Sequence, residues 1–333
     1  MKILIADYAE SMMPSHEKEI AVLEKGLPGC SVEVFTYSDD RRREFLDAIA
    51  DSDALLTAFI KIDEEVFVAS PHLKVVSINA TGYDNVDLDA AKRHGVAVCP
   101  VGEYCTEDVA EFTITTMLAL VRNLKFYLND IDVNHKWRYD YAQPNPRLSN
   151  MTLGIFGLGK IGRSVATKAA ALGMRVLACD PFISDQNYQK VAEFVDLVSP
   201  EELLAQADVV SNHMNLNETN YNFFNKERFA QMAKHPYFIN MARGAEIDEP
   251  ALIDALDNGQ IKGSALDVLS SEFPDLATHP LVGRDNVIVT PHVAFYSTDS
   301  IINLQEISCK NIVYYLTEQP EKVFKLVVDP ANM

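Results

Sequence analysis

Three side chains in the C-terminal half of the sequence are of the types that move protons and hold carboxylates. Arg243, Glu272 and His292 each come shortly after a short apolar run that predicts a strand. A guanidinium binds a carboxylate through its fixed fork of donors, an imidazole transfers protons, and a carboxylate can orient an imidazole. Taken singly, each residue has an ordinary explanation. The arginine could form a surface ion pair, the glutamate could be a solvated loop residue, and the histidine could be a turn residue. Their common position at strand ends indicates a function only if a binding site lies beside them.

Such a site is predicted by the stretch TLGIFGLGKIGRSVATKAAALGMRVLACD, residues 152–180. A short apolar strand breaks into GLGKIG, a helical segment follows, and a second strand ends at Asp180. Gly157 permits a tight turn, Gly159 lets the backbone approach a pyrophosphate, and Gly162 lets the helix sit close to the strand. The helix N-terminus then offers N–H groups to the anion. The stretch therefore predicts a dinucleotide site.

The acidic residue at the end of the second strand selects between the two nicotinamide dinucleotides. Asp180 follows the first glycine at about the spacing at which an acid accepts hydrogen bonds from the ribose 2′-OH. The same carboxylate would repel a 2′-phosphate. We therefore expect NAD rather than NADP as cofactor.

The elements that must position these residues form an α/β pattern. Five strands are predicted before residue 100, among them Ala54–Phe59, and six more after residue 150, with amphipathic segments between them. This rhythm predicts two doubly wound parallel-sheet domains with a cleft between them. Between the two series we predict a helix over Thr106–Leu124. The following stretch, Lys125–Asn150, lacks clear periodicity, and it is either an arm that packs on a second subunit or a covering loop.

Composition excludes several classes of function. The chain has 333 residues and a net charge of −19, which argues against nucleic-acid and anionic-membrane partners. Its five cysteines show no CxxC pair, so we expect neither a metal site nor a disulfide framework. The sequence contains no long apolar run, and its first residues read as a strand rather than a signal peptide. We expect a cytoplasmic protein.

Several ordered motifs together resemble the D-isomer-specific 2-hydroxyacid dehydrogenase family over essentially the whole chain. They are GYDNVD from Gly82, the glycine fingerprint, ARG ending at Gly244 with Asp248, ALDV ending at Val268, and TPH ending at His292. The resemblance implies an NAD-binding Rossmann domain, residues 102–296, inserted in a discontinuous flavodoxin-like substrate domain, residues 1–101 and 297–333.

The resemblance also assigns roles to residues. It implies that Arg243 binds the carboxylate of a small 2-oxo or 2-hydroxy acid, that His292 transfers the proton, and that Glu272 holds the other ring nitrogen of His292. The implied cofactor-binding residues are Gly157, Gly159, Lys160, Ile161, Gly162, Asp180, His213, Met214, Asn215, Asn220, Met241, Ala242 and Asp267. The implied substrate-binding residues are Ala80, Thr81, Gly82, Tyr104 and Tyr296.

The substrate stays open at this point. Tyr104 and the pair Phe295-Tyr296 resemble the D-lactate dehydrogenase branch, but the interval from Glu272 to His292 is shorter than that branch shows. Asn215 stands where the family often has proline, and Met241 stands where it often has threonine. Glyoxylate, hydroxypyruvate or phosphoglycerate specificity are alternatives on the same scaffold. So are a formate or phosphite dehydrogenase and a non-enzymatic NAD-sensing corepressor. The family habit and the Lys125–Asn150 stretch favour a homodimer.

Overall fold

The computed structural model describes residues 1–332 and divides the chain into two compact units. The first unit comprises Met1–Tyr104 and the chain from Ser297 onward, and the second comprises Cys105–Tyr296. Each unit is built on one parallel sheet, so the α/β fold predicted from the alternating pattern is confirmed. In the described part of the chain, no helix has the length and apolar character needed to cross a membrane.

The first unit contains a five-stranded sheet with the order β2-β1-β3-β4-β5. Its strands are β1 (Lys2–Tyr8), β2 (Ser31–Tyr37), β3 (Ala54–Thr57), β4 (Val75–Ile78) and β5 (Ala97–Pro100). Its helices are α1 (Glu17–Gly26), α2 (Arg42–Ile49), α3 (Glu64–Ala69), α4 (Leu88–His94) and, from the end of the chain, α12 (Thr298–Leu316). All strand pairs are parallel, as crossover helices require.

Helices cover both faces of this first sheet. Along β1, Ile3 faces a cluster with α1 and α12, whereas Leu4 faces a cluster with α2, α3 and α4. Successive side chains of a strand point to opposite faces, so a strand buried on both sides reads as a continuous apolar run. Helix α12 begins with a capping box in which Ser297 and Ser300 satisfy each other's backbone N–H groups.

The second unit contains a seven-stranded sheet with the order β12-β11-β10-β9-β6-β7-β8. Its strands are β6 (Thr152–Phe156), β7 (Arg175–Cys179), β8 (Val195–Leu197), β9 (Val209–Asn212), β10 (Tyr237–Asn240), β11 (Gly263–Leu266) and β12 (Val287–Val289). Its helices are α5 (Thr106–Val121), α6 (Leu124–Asp132), α7 (Lys160–Ala171), α8 (Asp185–Tyr188), α9 (Pro200–Gln206), α10 (Lys226–Ala230) and α11 (Glu249–Asp257).

Aromatic packing fills one face of the second sheet. Phe156, Phe224, Phe229 and Phe238 are almost fully buried against α9, α10 and α11. Edge-to-face contacts link them, with ring centroids of Phe224 and Phe238 4.8 Å apart. This aromatic packing holds in place the strands whose carboxyl ends carry the predicted site residues.

The segment Lys125–Asn150 begins with a helix that the sequence interpretation missed. The predicted helix Thr106–Leu124 ends at Val121, because Asn123 adopts a left-handed backbone with φ of +52°. A new helix, α6, then runs to Asp132. Leu124, Leu128 and Ile131 lie at helical spacing on it and are 42–53% exposed. A short apolar stripe, rather than an absence of periodicity, is the signal that was overlooked.

Strand β3 is shorter than predicted. It ends at Thr57 rather than Phe59, because the N–H groups of Ala58 and Phe59 donate to the buried carboxylate of Asp7. A side chain thus takes the donors that a continued strand would offer to its neighbour. The short elements α3 and β8 were likewise absent from the sequence prediction.

Candidate active site

The second sheet brings the predicted site residues to one edge. In a parallel sheet all carboxyl ends lie on the same side, and open α/β sheets bind ligands there. Along this edge the structure places Asp180 after β7, Gly157 after β6, His213 after β9, Arg243 after β10, Asp267 after β11 and His292 after β12. The edge therefore carries a glycine turn at its centre and polar side chains on the neighbouring strands.

The glycine turn is shaped for close backbone contact. Gly157 has φ of +84°, and a Cβ atom there would lie 2.6 Å from the carbonyl oxygen of His213. A Cβ atom on Gly162 would lie 2.1 Å from the carbonyl oxygen of Gly157, so the first turn of α7 packs directly on the loop. A Cβ atom on Gly159 would meet nothing within 4 Å. The open space beside Gly159, at the start of α7, is thus the place where an anion can approach the backbone.

Asp180 closes the turn from the neighbouring strand. Its Oδ2 accepts a hydrogen bond from the Leu158 N–H at 2.8 Å, and its Oδ1 accepts one from the Phe182 N–H at 2.9 Å. The carboxylate is half-buried, and each oxygen keeps a lone pair for another donor. The structure thus holds an acid beside the glycine turn, as a ribose site requires.

These features fit a dinucleotide. The approach to Gly159 leaves room for a pyrophosphate, Lys160 and Ile161 form the first turn of α7 behind it, and Asp180 supplies an acceptor one strand away. The Asp180 carboxylate would repel the 2′-phosphate of NADP.

The loop after β9 starts with a neutral histidine. His213 Nε2 lies 2.8 Å from the Ser211 hydroxyl, and Nδ1 is buried without a hydrogen-bond partner. Burial of the ring lowers the pKa of His213 from 6.5 to about 4, so the imidazole is uncharged at neutral pH. Met214 is half-buried, Asn215 is exposed, and Asn220 is buried. An unsatisfied ring nitrogen at this edge is consistent with a bound group nearby.

The loop after β10 presents the arginine. Met241 and Ala242 are buried, and Arg243 is half-buried with Nη1 donating to the carbonyl oxygen of Ala242 at 2.8 Å. A Cβ atom on Gly244 would lie 1.7 Å from the carbonyl oxygen of Leu269, so only glycine can follow the arginine. The backbone after β11 thereby fixes the place of Arg243.

Asp267, after β11, is engaged by the loop that carries the histidine. Its Oδ1 accepts from the Thr290 hydroxyl at 2.6 Å and from the Val293 N–H at 2.8 Å, and its Oδ2 accepts from the Ala294 N–H at 2.8 Å. Burial raises the pKa of Asp267. In this structure Asp267 therefore organises the loop 290–294, and its predicted contact with the nicotinamide carboxamide stays a prediction.

Glu272 and His292 meet. Oε2 of Glu272 lies 2.9 Å from Nδ1 of His292, although the two residues are far apart in the sequence. His292 adopts a left-handed backbone with φ of +51°, held by its N–H donating to the Asp267 carbonyl oxygen at 2.8 Å. The pairing engages Nδ1 of His292 and fixes the orientation of the imidazole ring. The Phe295 ring lies edge-on to the imidazole, with centroids 6.4 Å apart.

The remaining predicted substrate residues divide between the two units. Tyr296 belongs to the second unit and is 58% exposed. In the first unit, Ala80, Thr81 and Gly82 follow β4, and the Thr81 hydroxyl donates to the Gly102 carbonyl oxygen at 2.8 Å. Tyr104, at the end of the first stretch of that unit, is half-buried.

The sequence interpretation missed three polar residues behind the site. Asn212, Asn240 and Glu246 are 0% exposed, and the Asn212 amide donates to both Asn240 and Glu246. Asn212 and Asn240 each end an apolar strand, where a further apolar residue would be ordinary. A polar side chain at the buried end of a strand was the available signal.

Comparison with known proteins identifies the family to which the chain is similar. Residues 114–294 match the family described as D-isomer specific 2-hydroxyacid dehydrogenase, NAD binding domain. A glyoxylate reductase of Thermofilum pendens is 34% identical over 86% of this chain and 86% of its own. A hydroxypyruvate reductase of Blautia hydrogenotrophica is 33% identical over 84% of this chain and 87% of its own.

A solved structure extends the similarity to both units. The D-lactate dehydrogenase from Aquifex aeolicus, crystallised with NAD and lactic acid, superimposes with a TM-score of 0.86. It is 28% identical and covers 98% of this chain, and the match covers 99% of that chain. NAD is therefore the cofactor of the second unit, as its glycine turn and Asp180 predicted. The chain belongs to the D-isomer-specific 2-hydroxyacid dehydrogenase family.

Proposed function

We propose that the protein is an NAD-dependent oxidoreductase that interconverts a small 2-oxo acid and the corresponding D-2-hydroxy acid. The observation that carries this proposal is the Glu272–His292 pair, 2.9 Å apart, at the edge of the sheet that holds the glycine turn. Reduction of a ketone oxygen requires a proton donor, and an imidazolium oriented by a carboxylate is suited to that task. The family membership supports the same reaction class.

His292 is the proposed proton donor for reduction and the proton acceptor for oxidation. In the proposed mechanism Glu272 holds Nδ1 and orients the ring, and the proton is transferred at Nε2. The left-handed backbone at His292 and the hydrogen bond from its N–H to Asp267 fix where the ring can lie. Both features serve orientation, because a proton is transferred only at hydrogen-bond distance.

Arg243 is the proposed anchor for the substrate carboxylate. It follows β10, two strands from β12, and strands in a sheet are spaced about 4.8 Å apart. The strand ends that carry Arg243 and His292 are therefore separated by roughly 10 Å, a span that their long side chains and a small oxo acid can bridge. The N–H donors of the Arg243 guanidinium can bind the substrate carboxylate in a bidentate manner and polarise the adjacent carbonyl. A local cation is needed because the protein as a whole carries a charge of −19.

The glycine turn, Asp180 and the loop from His213 to Asn220 are the proposed binding surface for the cofactor. When bound, NADH supplies the hydride to the carbonyl carbon. The protein groups hold it by backbone N–H groups at the start of α7 and by the Asp180 carboxylate at the ribose. Because the pKa of His213 is lowered, its ring adds no charge at the start of this loop at neutral pH.

Two substrate classes compete for this site. The curated relatives are named glyoxylate and hydroxypyruvate reductases, whereas the solved structure is a D-lactate dehydrogenase. We favour the D-lactate type, because the exposed Tyr296, four residues after His292, offers aromatic surface for a methyl or larger side chain.

A substrate panel tests the function and the class together. Wild-type protein is mixed with NADH and, in separate assays, glyoxylate, pyruvate, hydroxypyruvate and branched 2-oxo acids, and absorbance of NADH is followed. We expect oxidation of NADH with pyruvate at a higher kcat/KM than with glyoxylate. The reverse ranking would assign the glyoxylate class. Tight NADH binding with no turnover across the panel would contradict the enzyme and support a non-enzymatic NAD-binding role.

We further propose that the protein is a homodimer and works in the cytoplasm. The apolar stripe Leu124, Leu128 and Ile131 on α6, with the exposed Trp137 and Tyr139 beyond it, supports a partner surface. Light scattering should give twice the chain mass of 37.1 kDa. A single-chain mass at micromolar concentration would contradict the dimer.

A further inference from the structure

A buried carboxylate lies between the two loops that carry the proposed cofactor and substrate contacts. Glu246 follows Arg243 by one short turn and is 0% exposed. Its Oε2 accepts from Nδ2 of Asn212 at 2.7 Å, and its Oε1 accepts from Nδ2 of Asn220 at 2.9 Å. A polar side chain is expensive to bury unless its oxygens are hydrogen-bonded. The two asparagines meet that requirement.

The first asparagine ties the carboxylate to the start of the cofactor loop. Asn212 ends β9 and is fully buried. Its Oδ1 accepts from the Met214 N–H at 3.2 Å, and its Nδ2 also donates to Oδ1 of Asn240 at 3.1 Å. One amide therefore contacts both the loop after β9 and the end of β10.

The second asparagine ties the carboxylate to the far end of the same loop. Asn220 Nδ2 donates to the Asn215 carbonyl oxygen at 3.0 Å as well as to Glu246, and its Oδ1 accepts from the Asn217 N–H at 2.8 Å. The loop 213–220 is thus folded around the Asn220 amide. The hydrogen bond from Asn220 to Glu246 connects this loop to the loop after β10.

Asn240 continues the network to the arginine. Its Nδ2 donates to the Arg243 carbonyl oxygen at 2.9 Å, and its Oδ1 accepts from the Ala242 N–H at 3.0 Å. The backbone adds a parallel connection, since the Phe224 N–H donates to the Glu246 carbonyl oxygen at 3.0 Å. A contiguous set of hydrogen bonds therefore runs from the cofactor loop through Glu246 and Asn212 to the backbone of Arg243.

We propose that Glu246 is a positioning residue that locks the cofactor loop 213–220 and the Arg243 loop into one arrangement. This inference rests on the proposed function for its effect on substrate, but its effect on cofactor binding is independent of any turnover. The carboxyl group is essential, because each of its two oxygens accepts from a different asparagine amide. A neutral amide of the same size would turn an NH₂ group toward one of the two asparagine amides.

The test is the substitution Glu246→Gln, which keeps the volume and replaces one acceptor oxygen with a donor NH₂ group. Active sites are counted by NADH fluorescence titration, and KM and kcat are expressed per active site. We expect the KM for the 2-oxo acid to rise about tenfold or more and the Kd for NADH to rise with it, because small misplacements of binding groups are costly. A residue with a purely structural role would reduce the number of active sites and leave both constants unchanged.

Ser264→Ala is the matched control. Ser264 is fully buried near the amino end of β11, in the same sheet, and its hydroxyl donates to the Phe238 carbonyl oxygen at 2.9 Å. Its loss removes a buried hydrogen bond that is not part of the Glu246 network. This variant should keep wild-type KM and Kd values, so that any general effect of destabilisation on these constants is detected.

Asn220→Ala gives a second route if Glu246→Gln does not fold. The substitution breaks the link from Glu246 to the cofactor loop. The KM for the 2-oxo acid should rise, although Asn220 lies in the loop after β9 and Arg243 lies in the loop after β10. If both variants fold, their effects should be strongly non-additive, as for residues in one network.

The outcomes are distinct from those of the proposed function. Wild-type turnover with unchanged constants in the folded variants would overturn the positioning role and leave the enzyme intact. If the wild type shows no turnover, the NADH Kd decides: a raised Kd in Glu246→Gln supports the lock, and an unchanged Kd overturns it.

Discussion

Acidification should destabilise the second unit through His213. Burial of this ring lowers its pKa from 6.5 to about 4, so in the pH range between these values the unfolded chain binds a proton that the folded chain does not. Stability is therefore complete above pH 6.5 and falls as the pH falls toward 4. With these two pKa values, the loss between pH 7 and pH 5 from this residue is about 2 kcal/mol.

The experiment compares urea unfolding of the wild type and His213→Gln at pH 7 and pH 5. Unfolding of the two units is resolved by circular dichroism, because a chain with two units need not unfold in a single step. The free energy of unfolding of the second unit should fall by about 2 kcal/mol more in the wild type than in the variant. Comparison with the variant cancels the contribution of Asp267, whose raised pKa acts in the opposite direction. Equal pH dependence in the two proteins would refute the assignment of a buried, neutral His213.

Other predictions concern the glycine turn, the ribose acid and the first unit. Asp180→Ala should reduce the preference for NADH over NADPH, measured as a ratio of kcat/KM values; unchanged discrimination would remove this acid from the ribose. Gly157→Ala should lower stability by about 1–2 kcal/mol or more, since alanine is strained at φ of +84°. Gly159→Ala should retain wild-type stability and weaken NADH binding, because its Cβ atom points into open space; unimpaired binding would show that the cofactor does not approach there. Burial raises the pKa of Asp7 from 3.8 to about 6, so Asp7 should contribute about 1 kcal/mol more to stability at pH 5 than at pH 7 in urea unfolding, and an equal pH dependence in Asp7→Asn would contradict this.

Features that depend on local sequence were accessible before the structure. The turn at Gly157 requires a positive φ, and the contact at Gly162 leaves no room for a Cβ atom. Glycine is the residue that satisfies both conditions, so the sequence itself indicates these positions. The same local signals located β7 at Arg175–Cys179 and α11 at Glu249–Asp257 as the structure has them. The predicted family, fold class and cofactor are confirmed.

Features that depend on distant residues were not accessible. The buried carboxylate of Asp7 takes the N–H groups of Ala58 and Phe59 and thereby shortens β3, and no local pattern announces this. Glu246 reads as an ordinary loop acid, because its asparagine partners belong to other elements. Helix α6 was missed for a different reason, namely that its apolar stripe is narrow and half-exposed.

The central claim is that the pair formed by His292 and Glu272 transfers the proton during reduction. The most direct measurement is the single-turnover rate of NADH oxidation by His292→Gln with saturating 2-oxo acid, beside His279→Gln, which alters another histidine–glutamate pair of the same unit. We predict a loss of about 10²- to 10⁴-fold for His292→Gln with NADH binding retained, and a wild-type rate for the control. A wild-type rate in His292→Gln would contradict the account.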